Sequence, residues 1–295
     1  MRIGILTSGR AKSFDEPGAP PPLVEAGQKR GHDVTLIHEP ELVIAETGNG
    51  RTITYLGEPL PKFDIILNRP GFVTEPSLHS VTTEALTAAG FKIINHSKLG
   101  DVSKNKLAQH LILSQAGLPL PHWAIARRPT HAVAAGKMIG FPVMIKVAFG
   151  THGKGVFLAE NIETLSPIVD YLTIRDGNPV IIEEFVAEAG RKDLRAFVIG
   201  DQVIAAMERT ARDGDVRANA SLGGVGRPVT LTDEEQQIAV KATKAFDLDL
   251  AGVDLLRSAR GPLVIEVNAN PGFEELTRAT DIDVAGAIIE FVEKY

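Results

Sequence analysis

The first 96 residues alternate between short apolar strands and helices, and this alternation constrains the fold more than any other feature of the chain. Strand–helix–strand order predicts an open α/β layer with a mostly parallel sheet. Gly31 and Gly90 are predicted to end the two helices, because glycine is common just after a helix. The predicted elements are the strands Ile3–Leu6, Val34–His38, Phe63–Leu67 and Lys92–Asn95 and the helices Leu23–Arg30 and Leu78–Ala89.

After residue 96 the pattern changes, first to a mixed segment and then to hairpins. Between residues 97 and 178, Asp101 or Ser103 can cap a helix that runs through Leu107–Gln115, and two later strands flank a glycine-rich turn. Between residues 179 and 295, the dipeptide Gly200–Asp201 favours a two-residue hairpin turn. We therefore predict an α/β chain with an α+β C-terminal part, divided into domains 1–96, 97–178 and 179–295.

Composition limits the class of protein. The chain has 295 residues, 44% of them hydrophobic, with no cysteine and a formal net charge of −6. The apolar fraction excludes disorder, and the lack of cysteine excludes a disulfide scaffold. No apolar run approaches the roughly 18 residues that span a bilayer, and mild acidity argues against a nucleic-acid binder. We expect a soluble, cytoplasmic protein that acts on metabolites, without a nucleic-acid or membrane partner.

The predicted hairpin AGVDLLRSARGPLVIEVNANPG brings two carboxylates together. Asp254 and Glu266 are equidistant from Arg260, so a turn centred there sets them opposite each other with Cβ atoms about 5 Å apart. Asn268 shares their face, because residues two apart lie on one side of a strand. Three oxygen ligands suit Mg²⁺, which would offset a repulsion of about 3 kcal/mol at an effective dielectric constant of about 20. A solvated strand face explains the same spacing without a metal. The opposite face is predicted to carry Val253, Leu255, Leu263, Ile265 and Val267.

A lysine and a glycine-rich turn together suggest an anion site. Lys146 lies in the predicted strand PVMIKV, directly before Gly150, Gly153 and Gly155. Glycine allows the backbone to approach a ligand closely, and inward-turned amides can form an anion nest. A flexible hairpin turn is the alternative explanation, because the full P-loop motif is absent.

Two further basic segments have the same two explanations. Lys104 and Lys106 lie in the first turn of a predicted helix, where cations oppose the helix dipole and a bound anion would account for them. The loop RTARDGDVRANASLGG adds Arg217 and Asn219, which can hold a phosphate through guanidinium or amide groups. Ordinary surface lysines and a solvated loop explain these segments equally well when each is taken alone.

Four ordered segments of the chain resemble the ATP-grasp superfamily of carboxylate–amine ligases, and most closely its RimK-like glutamate ligases. The segments are NKLAQHLILSQAGLPLP, PVMIKVAFGTHGKGV, EEFVAEAGRKDLRAFVIGDQVIAAMERTARDGDVRAN and AGVDLLRSARGPLVIEVNANPGFE. The resemblance covers nearly the whole chain. It implies an ATP-grasp fold with an N-terminal open parallel-sheet domain, a small central lid domain and a C-terminal antiparallel-sheet domain.

The resemblance also implies a site for each substrate group. For the nucleotide, these are Lys106 and Lys146 at the phosphates, Glu184 and Phe185 at adenine and Asp193 at ribose, with Gly150, Gly153 and Gly155 in a mobile lid. Arg217 and Asn219 are the implied catalytic residues, facing the phosphates or an acyl-phosphate intermediate. The implied Mg²⁺ ligands are Asp254, Glu266 and Asn268. ATP and Mg²⁺ are the implied cofactors, with Mn²⁺ as an alternative metal. Asn105 replaces an aspartate common in the family, and a basic residue is missing near Ser221–Leu222, where the acceptor is expected.

The implied activity is that of an ATP-dependent, ADP-forming ligase that makes a peptide bond through an acyl phosphate. We expect L-glutamate or another amino acid as the amine, and a protein or peptide C-terminal carboxylate, such as that of a ribosomal protein, as the acceptor. One alternative is an ATP-grasp ligase that joins an amino acid to a small-molecule carboxylate in a cofactor or amino-acid-carrier pathway. Another is an ATP-binding regulator without catalysis. The relatives also suggest a homo-oligomer.

Overall fold

The computed structural model describes residues 1–8, 21–48, 50–70, 76–95, 102, 104–148, 155–212 and 225–295, apart from the side chains of residues 76–78 and 174–176. The strands are β1 (Arg2–Thr7), β2 (Asp33–His38), β3 (Leu42–Thr47), β4 (Gly50–Tyr55), β5 (Glu58–Pro59), β6 (Ile65–Asn68), β7 (Ile93–Ile94), β8 (Trp123–Ala126), β9 (Val143–Val147), β10 (Val156–Ala159), β11 (Val180–Glu184), β12 (Lys192–Ile199), β13 (Gln202–Thr210), β14 (Val225–Pro228), β15 (Leu250–Ser258) and β16 (Gly261–Asn268). The helices are α1 (Pro22–Lys29), α2 (Pro76–Ala88), α3 (Lys106–Gln115), α4 (Pro129–Ile139), α5 (Ile162–Asp176), α6 (Asp233–Ala245), α7 (Glu274–Thr280) and α8 (Val284–Lys294).

The N-terminal segment forms a parallel sheet in the order β2-β1-β6-β7, which confirms the predicted open α/β layer. Strands β1, β6 and β7 are largely buried on both faces, as is typical of parallel sheets, while the edge strand β2 is partly exposed. One face packs with α1, α8 and the C-terminal sheet in a single core that includes Ile3, Leu67, Phe197 and Ile288. The first and last parts of the chain therefore share a hydrophobic core.

A small antiparallel sheet in the order β3-β4-β5 lies beside this layer, in a segment for which the sequence analysis predicted no element. Leu56 and Gly57 form the turn between β4 and β5, both with positive φ (53° and 86°). That conformation suits a two-residue hairpin turn. Ile53 and Tyr55 pack against the apolar face formed by Ile37 and other residues of the parallel sheet.

The middle sheet is antiparallel, in the order β10-β9-β11-β8, and α4 and α5 cover one of its faces. Strand β11 pairs with both β9 and β8, so the sheet extends to Glu184. The domain boundary at residue 178 stays a prediction, although strand pairing carries the middle sheet six residues beyond it. None of the helices that the structure describes combines the length and apolar character needed to cross a bilayer.

The C-terminal sheet is also antiparallel, in the order β14-β13-β12-β15-β16. The predicted turn at Gly200–Asp201 is confirmed, since Ile199 pairs with Gln202 across it. One face packs on α3 and α6. The other face is apolar at one end, where it joins the N-terminal core, and polar at the opposite end.

Asn95, directly after β7, joins the parallel sheet to the C-terminal sheet. Its Oδ1 accepts hydrogen bonds from the amides of Asp249 (3.0 Å) and Leu250 (2.7 Å). Its Nδ2 donates to the carbonyls of Leu250 and Ala269, both at 2.8 Å. Its φ of 62° is in the left-handed region, which asparagine adopts more readily than most residues.

Candidate active site

The carboxylates of the C-terminal hairpin are opposite each other, as the spacing predicts, but the route to that register differs. The turn lies between Ser258 and Gly261, and a bulge at Ile265 then restores the pairing of Asp254 with Glu266. The bulge changes which residues of β16 face the apolar cluster. Val264 lies in that cluster, in place of Leu263 and Ile265. Its neighbours there include Val253, Leu255 and Val267. A β-bulge adds one unpaired residue to a strand, and here the prediction for Leu263 and Ile265 is wrong.

Asp254 is buried and paired with two arginines. It is 2% exposed, and Arg195 from the neighbouring strand β12 binds it through both Nε and Nη2, with Nη2 at 2.9 Å from Oδ2. Arg209 Nη2 lies 3.0 Å from the same Oδ2. Burial alone would raise the pKa of Asp254, but the two guanidinium groups outweigh it and lower the pKa.

Asp193, the predicted ribose residue, lies on the same polar face. Both of its oxygens accept hydrogen bonds from Arg209, at 2.6 and 2.8 Å. Burial raises its pKa, and Arg209 and Arg195 offset only part of that shift. The Asp193 carboxylate therefore orients Arg209 toward Asp254, and its role at ribose stays a prediction.

The helix that carries Lys106 begins with an asparagine cap. Asn105 Oδ1 accepts hydrogen bonds from the amides of Leu107 (3.0 Å) and Ala108 (3.4 Å). Asparagine is among the strongest N-cap residues. The cap predicted at Asp101 or Ser103 is therefore wrong for α3, and those two positions lie outside the described residues.

Lys106 extends from α3 to the C-terminal sheet. Its amide donates to Ala148 O at 2.9 Å, which attaches the start of α3 to the end of β9. Its Nζ lies 2.7 Å from Glu266 Oε1, and the two side chains are 12% and 28% exposed. Burial lowers the pKa of nearby Lys104, Glu266 acts in the opposite sense and Lys106 adds to the lowering. The predicted phosphate-binding lysine and a predicted metal ligand are thus in direct contact.

Lys146 is paired with a carboxylate that the sequence analysis did not select. On β9, it forms an ion pair with Glu183 of β11. The second oxygen of Glu183 lies 2.6 Å from His110 Nε2, and His110 Nδ1 lies 2.7 Å from the carbonyl of Lys106. Both partners of the imidazole are acceptors, so this geometry suits an imidazole that donates from both ring nitrogens.

The Glu183 carboxylate, which lies between Lys146 and His110, is buried at 2% exposure. Burial alone would raise its pKa, but the charges of Lys146 and His110 lower it to about 2. Through His110, it also joins the strand that carries Lys146 to the helix that carries Lys106. The two predicted phosphate lysines therefore belong to one connected group.

Glu184 and Phe185 lie on or just after β11, beside this group. Successive residues of a strand alternate between its faces, so the Glu184 side chain is directed away from that of Glu183. Glu184 accepts hydrogen bonds from the amide of His122 (2.9 Å) and from Arg260 Nη2 (2.6 Å). The Phe185 amide donates to Pro142 O at 3.3 Å. The adenine-binding role of Glu184 and Phe185 stays a prediction.

The glycine-rich turn is described only at its final residue. Gly155 has a φ of 78°, and a Cβ there would overlap Val147 Cγ2, so both conformation and space require glycine. Gly150 and Gly153 lie outside the described residues.

The same is true of Arg217 and Asn219, the predicted catalytic pair. Their roles and that of the lid stay predictions.

The oxygen donors of the hairpin fit a hard divalent cation. Within the part of the chain that the structure describes, Glu266 Oε2 and Asn268 Oδ1 have no hydrogen-bond partner. From the described residues, Asp254 Oδ1 accepts a single hydrogen bond, which leaves one of its two acceptor positions for another ligand. Carboxylate and amide oxygens are ligands that Mg²⁺ accepts, while it commonly keeps several waters. Among the described residues, no cluster of three or more His, Cys, Asp or Glu side chains forms a protein-only metal cage.

Comparison with known proteins gives the same fold and family. Residues 103–292 match the family model of the RimK-like ATP-grasp domain. A "probable alpha-L-glutamate ligase" of Shewanella loihica is 38% identical over 295 residues, which cover 100% of this chain and 96% of that protein. A protein of the same name from Vibrio cholerae has the same identity and coverage.

Solved structures of ATP-grasp proteins share the fold at lower identity. The ATP-grasp ligase PsnB, complexed with a minimal precursor, has a TM-score of 0.76 and 20% identity, with 99% of each chain covered. A RimK domain protein from Sphaerobacter thermophilus has a TM-score of 0.71 and 22% identity, with 99% of each chain covered. The predicted ATP-grasp fold and the prediction of an ATP-dependent ligase are confirmed. The chain belongs to the RimK-like ATP-grasp family.

Proposed function

We propose that this ligase adds L-glutamate to the C-terminal carboxylate of a peptide or protein through an acyl-phosphate intermediate. One observation supports it above the others. Lys106 and Lys146, which come from different elements, are connected through His110 and Glu183, and Lys106 also contacts Glu266 of the hairpin. Cations next to hard oxygen donors are what the phosphates of a Mg–nucleotide complex require.

The proposed reaction has two steps. A carboxylate oxygen of the acceptor attacks the γ-phosphorus of ATP, the bond to the bridging β,γ-oxygen breaks, and ADP leaves. The amine nitrogen of glutamate then attacks the acyl carbon of the acyl phosphate. The carbon–oxygen bond breaks, phosphate leaves with the electron pair, and the nitrogen gives a proton to solvent. The products are an amide, ADP and phosphate.

The lysines contribute by offsetting negative charge on the transferred phosphoryl group. Lys146 has three N–H donors, so it can hold Glu183 and a phosphate oxygen together. Its ion pair with Glu183 fixes the ammonium in position, which reduces reorganisation during the reaction. Bound at Asp254, Glu266 and Asn268, Mg²⁺ would supply a Lewis acid for the phosphoryl oxygens. Mn²⁺ is an alternative metal for the same oxygen set.

The proposed substrates are supported by the relatives. The curated relatives carry the name alpha-L-glutamate ligase, which supports glutamate as the amine substrate. PsnB was solved with precursor peptides, which supports a peptide acceptor. A ribosomal protein C-terminus is one candidate acceptor, and a homo-oligomer stays a prediction.

Mass spectrometry of the products tests the proposal. The chain is incubated with MgATP, glutamate and separate acceptors: glutamate, Glu-ended peptides, ribosomal proteins and small di- or tricarboxylates, with ADP measured in parallel. The expected result is a ladder of glutamyl additions on a peptide or protein. Products on small carboxylates alone would favour the alternative ligase. ATP binding without ADP formation for any acceptor would favour a regulator and overturn the proposal.

Glu266 provides the sharpest variant, because it is partly exposed, is a predicted metal ligand and contacts the predicted phosphate lysine Lys106. We expect Glu266→Gln to reduce ADP release strongly, and the double variant Asp254→Asn with Glu266→Gln to abolish it. Glu163→Gln, on the exposed first turn of α5, is the matched control and should retain wild-type turnover. Retained turnover in the Glu266→Gln variant would exclude Glu266 from the metal site.

A further inference from the structure

Arg69 extends from the N-terminal parallel sheet to the loop that follows the candidate metal ligands. It comes directly after β6, and its amide donates to Leu6 O at 2.8 Å. Ligands of open α/β sheets commonly bind beyond the carboxyl ends of the strands, which is where Arg69 lies. Its Nη2 donates to Pro271 O at 2.8 Å, and its guanidinium lies 5.6 Å from the centroid of the Phe273 ring.

The other terminal nitrogen of Arg69 has no partner among the residues that the structure describes. Nη1 is inaccessible to water and makes no hydrogen bond, and no ion pair of Arg69 occurs within the described ranges. Burial lowers the pKa of Arg69 to about 10, and the charge of Glu274 offsets only part of that shift. A buried guanidinium without a carboxylate is costly, since charges removed from water are normally paired. This cation is therefore suited to binding an anion.

Asn270 supplies a complementary atom. Its Nδ2 donates to Pro70 O at 3.2 Å, so Asn270–Pro271 and Arg69–Pro70 hold each other through two hydrogen bonds. Its Oδ1 is buried and has no partner among the described residues. One pair of contacting segments thus presents an unpaired cationic donor and an unpaired acceptor.

These segments adjoin the candidate metal site. Asn270 follows Asn268 by two residues, and Pro271 packs against Gly252 of strand β15, where an added Cβ would lie 2.7 Å from the Pro271 Cβ. The same added Cβ would lie 3.2 Å from Arg195 Nη1, so Gly252 adjoins both this loop and the arginine that holds Asp254.

We propose that Arg69 and Asn270 bind the α-amino acid that supplies the amine. Its α-carboxylate pairs with Arg69 Nη1, and its amine donates a hydrogen bond to Asn270 Oδ1. One N–H then points to the protein while the nitrogen lone pair remains directed at the acyl carbon. The pairing matches a donor with the carboxylate and an acceptor with the amine. This inference rests on the proposed ligase activity, which it extends to the recognition of the amine substrate.

The test compares glutamate, which would bind at Arg69 and Asn270, with an amine that would not. Hydroxylamine has no carboxylate and intercepts an acyl phosphate as a hydroxamate, whereas glutamate requires recognition. With MgATP and a Glu-ended peptide, Arg69→Gln should raise the KM for glutamate by about thirtyfold or more, as expected for the loss of one partner of a buried charge pair. Hydroxamate formation and the KM for ATP should stay at wild-type values. Arg127→Gln, at an exposed position, is the matched control and should change none of these.

A second comparison does not depend on the stability of the Arg69 variant. Wild-type enzyme should use 4-aminobutyrate, which is glutamate without its α-carboxylate, at least tenfold less efficiently than glutamate. Asn270→Ala should likewise raise the KM for glutamate without changing hydroxamate formation.

Three results would overturn the inference. They are equal use of the two amines by the wild-type chain, an unchanged KM for glutamate in both variants, and equal loss of hydroxamate and glutamyl product in a folded Arg69 variant. No ADP and no hydroxamate with the wild-type chain would instead refute the proposed function, and the inference with it.

Discussion

Replacing Glu183 by glutamine removes the negative charge from the buried group that it forms with Lys146 and His110. Glu183 is 2% exposed and lies between Lys146 and His110. The substitution keeps the size and one acceptor oxygen of the side chain. It leaves Lys146 buried without a counter-charge, which typically costs 3–5 kcal/mol, roughly, when one partner of a buried ion pair is lost.

The pKa of Glu183 gives a second value for the same quantity. Its pKa falls from the ordinary 4.5 to about 2 in the folded protein. Each pKa unit corresponds to about 1.4 kcal/mol, so the charged carboxylate contributes about 3 kcal/mol to the free energy of unfolding. Because the folded pKa is the lower one, this contribution is complete above pH 4.5 and is lost as the pH falls from 4.5 to about 2.

Urea unfolding measures both effects. At pH 7 the free energy of unfolding of Glu183→Gln should be about 3 kcal/mol below wild type. The difference should shrink as the pH falls from 4.5 to about 2, because wild-type Glu183 then becomes neutral as well. The neighbouring Glu184→Gln removes a partly exposed ion pair with Arg260, and should cost about 1 kcal/mol or less.

The reasoning would be refuted by a Glu183→Gln variant whose free energy of unfolding at pH 7 lies within 1 kcal/mol, roughly, of the wild-type value. It would also be refuted by a difference between the two proteins that stays constant over the acid range. Either result would mean that Lys146 and His110 do not depend on the Glu183 charge.

Three other substitutions test local parts of the site by urea unfolding. Asn105→Ala removes the side-chain cap of α3 and should lower the free energy of unfolding by about 1 kcal/mol; an unchanged value would show that the cap contributes nothing. Gly155→Ala should cost about 2–4 kcal/mol because of its positive φ and the overlap with Val147, and wild-type stability would contradict that conformation. Asn95→Ala removes four hydrogen bonds that join Asn95 to Asp249, Leu250 and Ala269 and should cost at least about 3 kcal/mol, whereas a loss below 1 kcal/mol, roughly, would mean that water replaces them.

The features that could be predicted from the sequence depend on neighbours along the chain. The parallel layer follows from the alternation of strands and helices, and the pairing of Asp254 with Glu266 follows from symmetry about one turn. The bulge at Ile265 did not prevent this pairing, because it compensated for a turn that lies half a residue from the predicted centre. The prediction that Leu263 and Ile265 face the apolar cluster is wrong because of this bulge. A count of residues along the sequence does not reveal a bulge.

The charge partners of the site could not be predicted, because they come from strands that are distant in sequence. Arg195 and Asp254 face each other only because β12 pairs with β15, across 59 positions of the chain. Glu183 is one of two consecutive glutamates, and only the pairing of β11 with β9 decides that it, rather than Glu184, faces Lys146. Arg195 lies two residues after Asp193 on one strand, and residues two apart share a face. This spacing is the sequence signal that could have placed Arg195 on the polar face.

The two lysine pairs differ in burial, and this difference separates their roles when a polyphosphate binds. Lys146 and Glu183 are 12% and 3% exposed, so separating them would leave Glu183 unpaired in a region that excludes water. Lys106 and Glu266 are 12% and 28% exposed, and Glu266 can exchange its partner at much lower cost. We therefore expect Lys146 to bind phosphate while it stays on Glu183, and Lys106 to leave Glu266 as that carboxylate takes a divalent cation. On this account, Glu266→Gln should raise the Mg²⁺ concentration needed for activity and change the free energy of unfolding little. Glu183→Gln should mainly lower the free energy of unfolding.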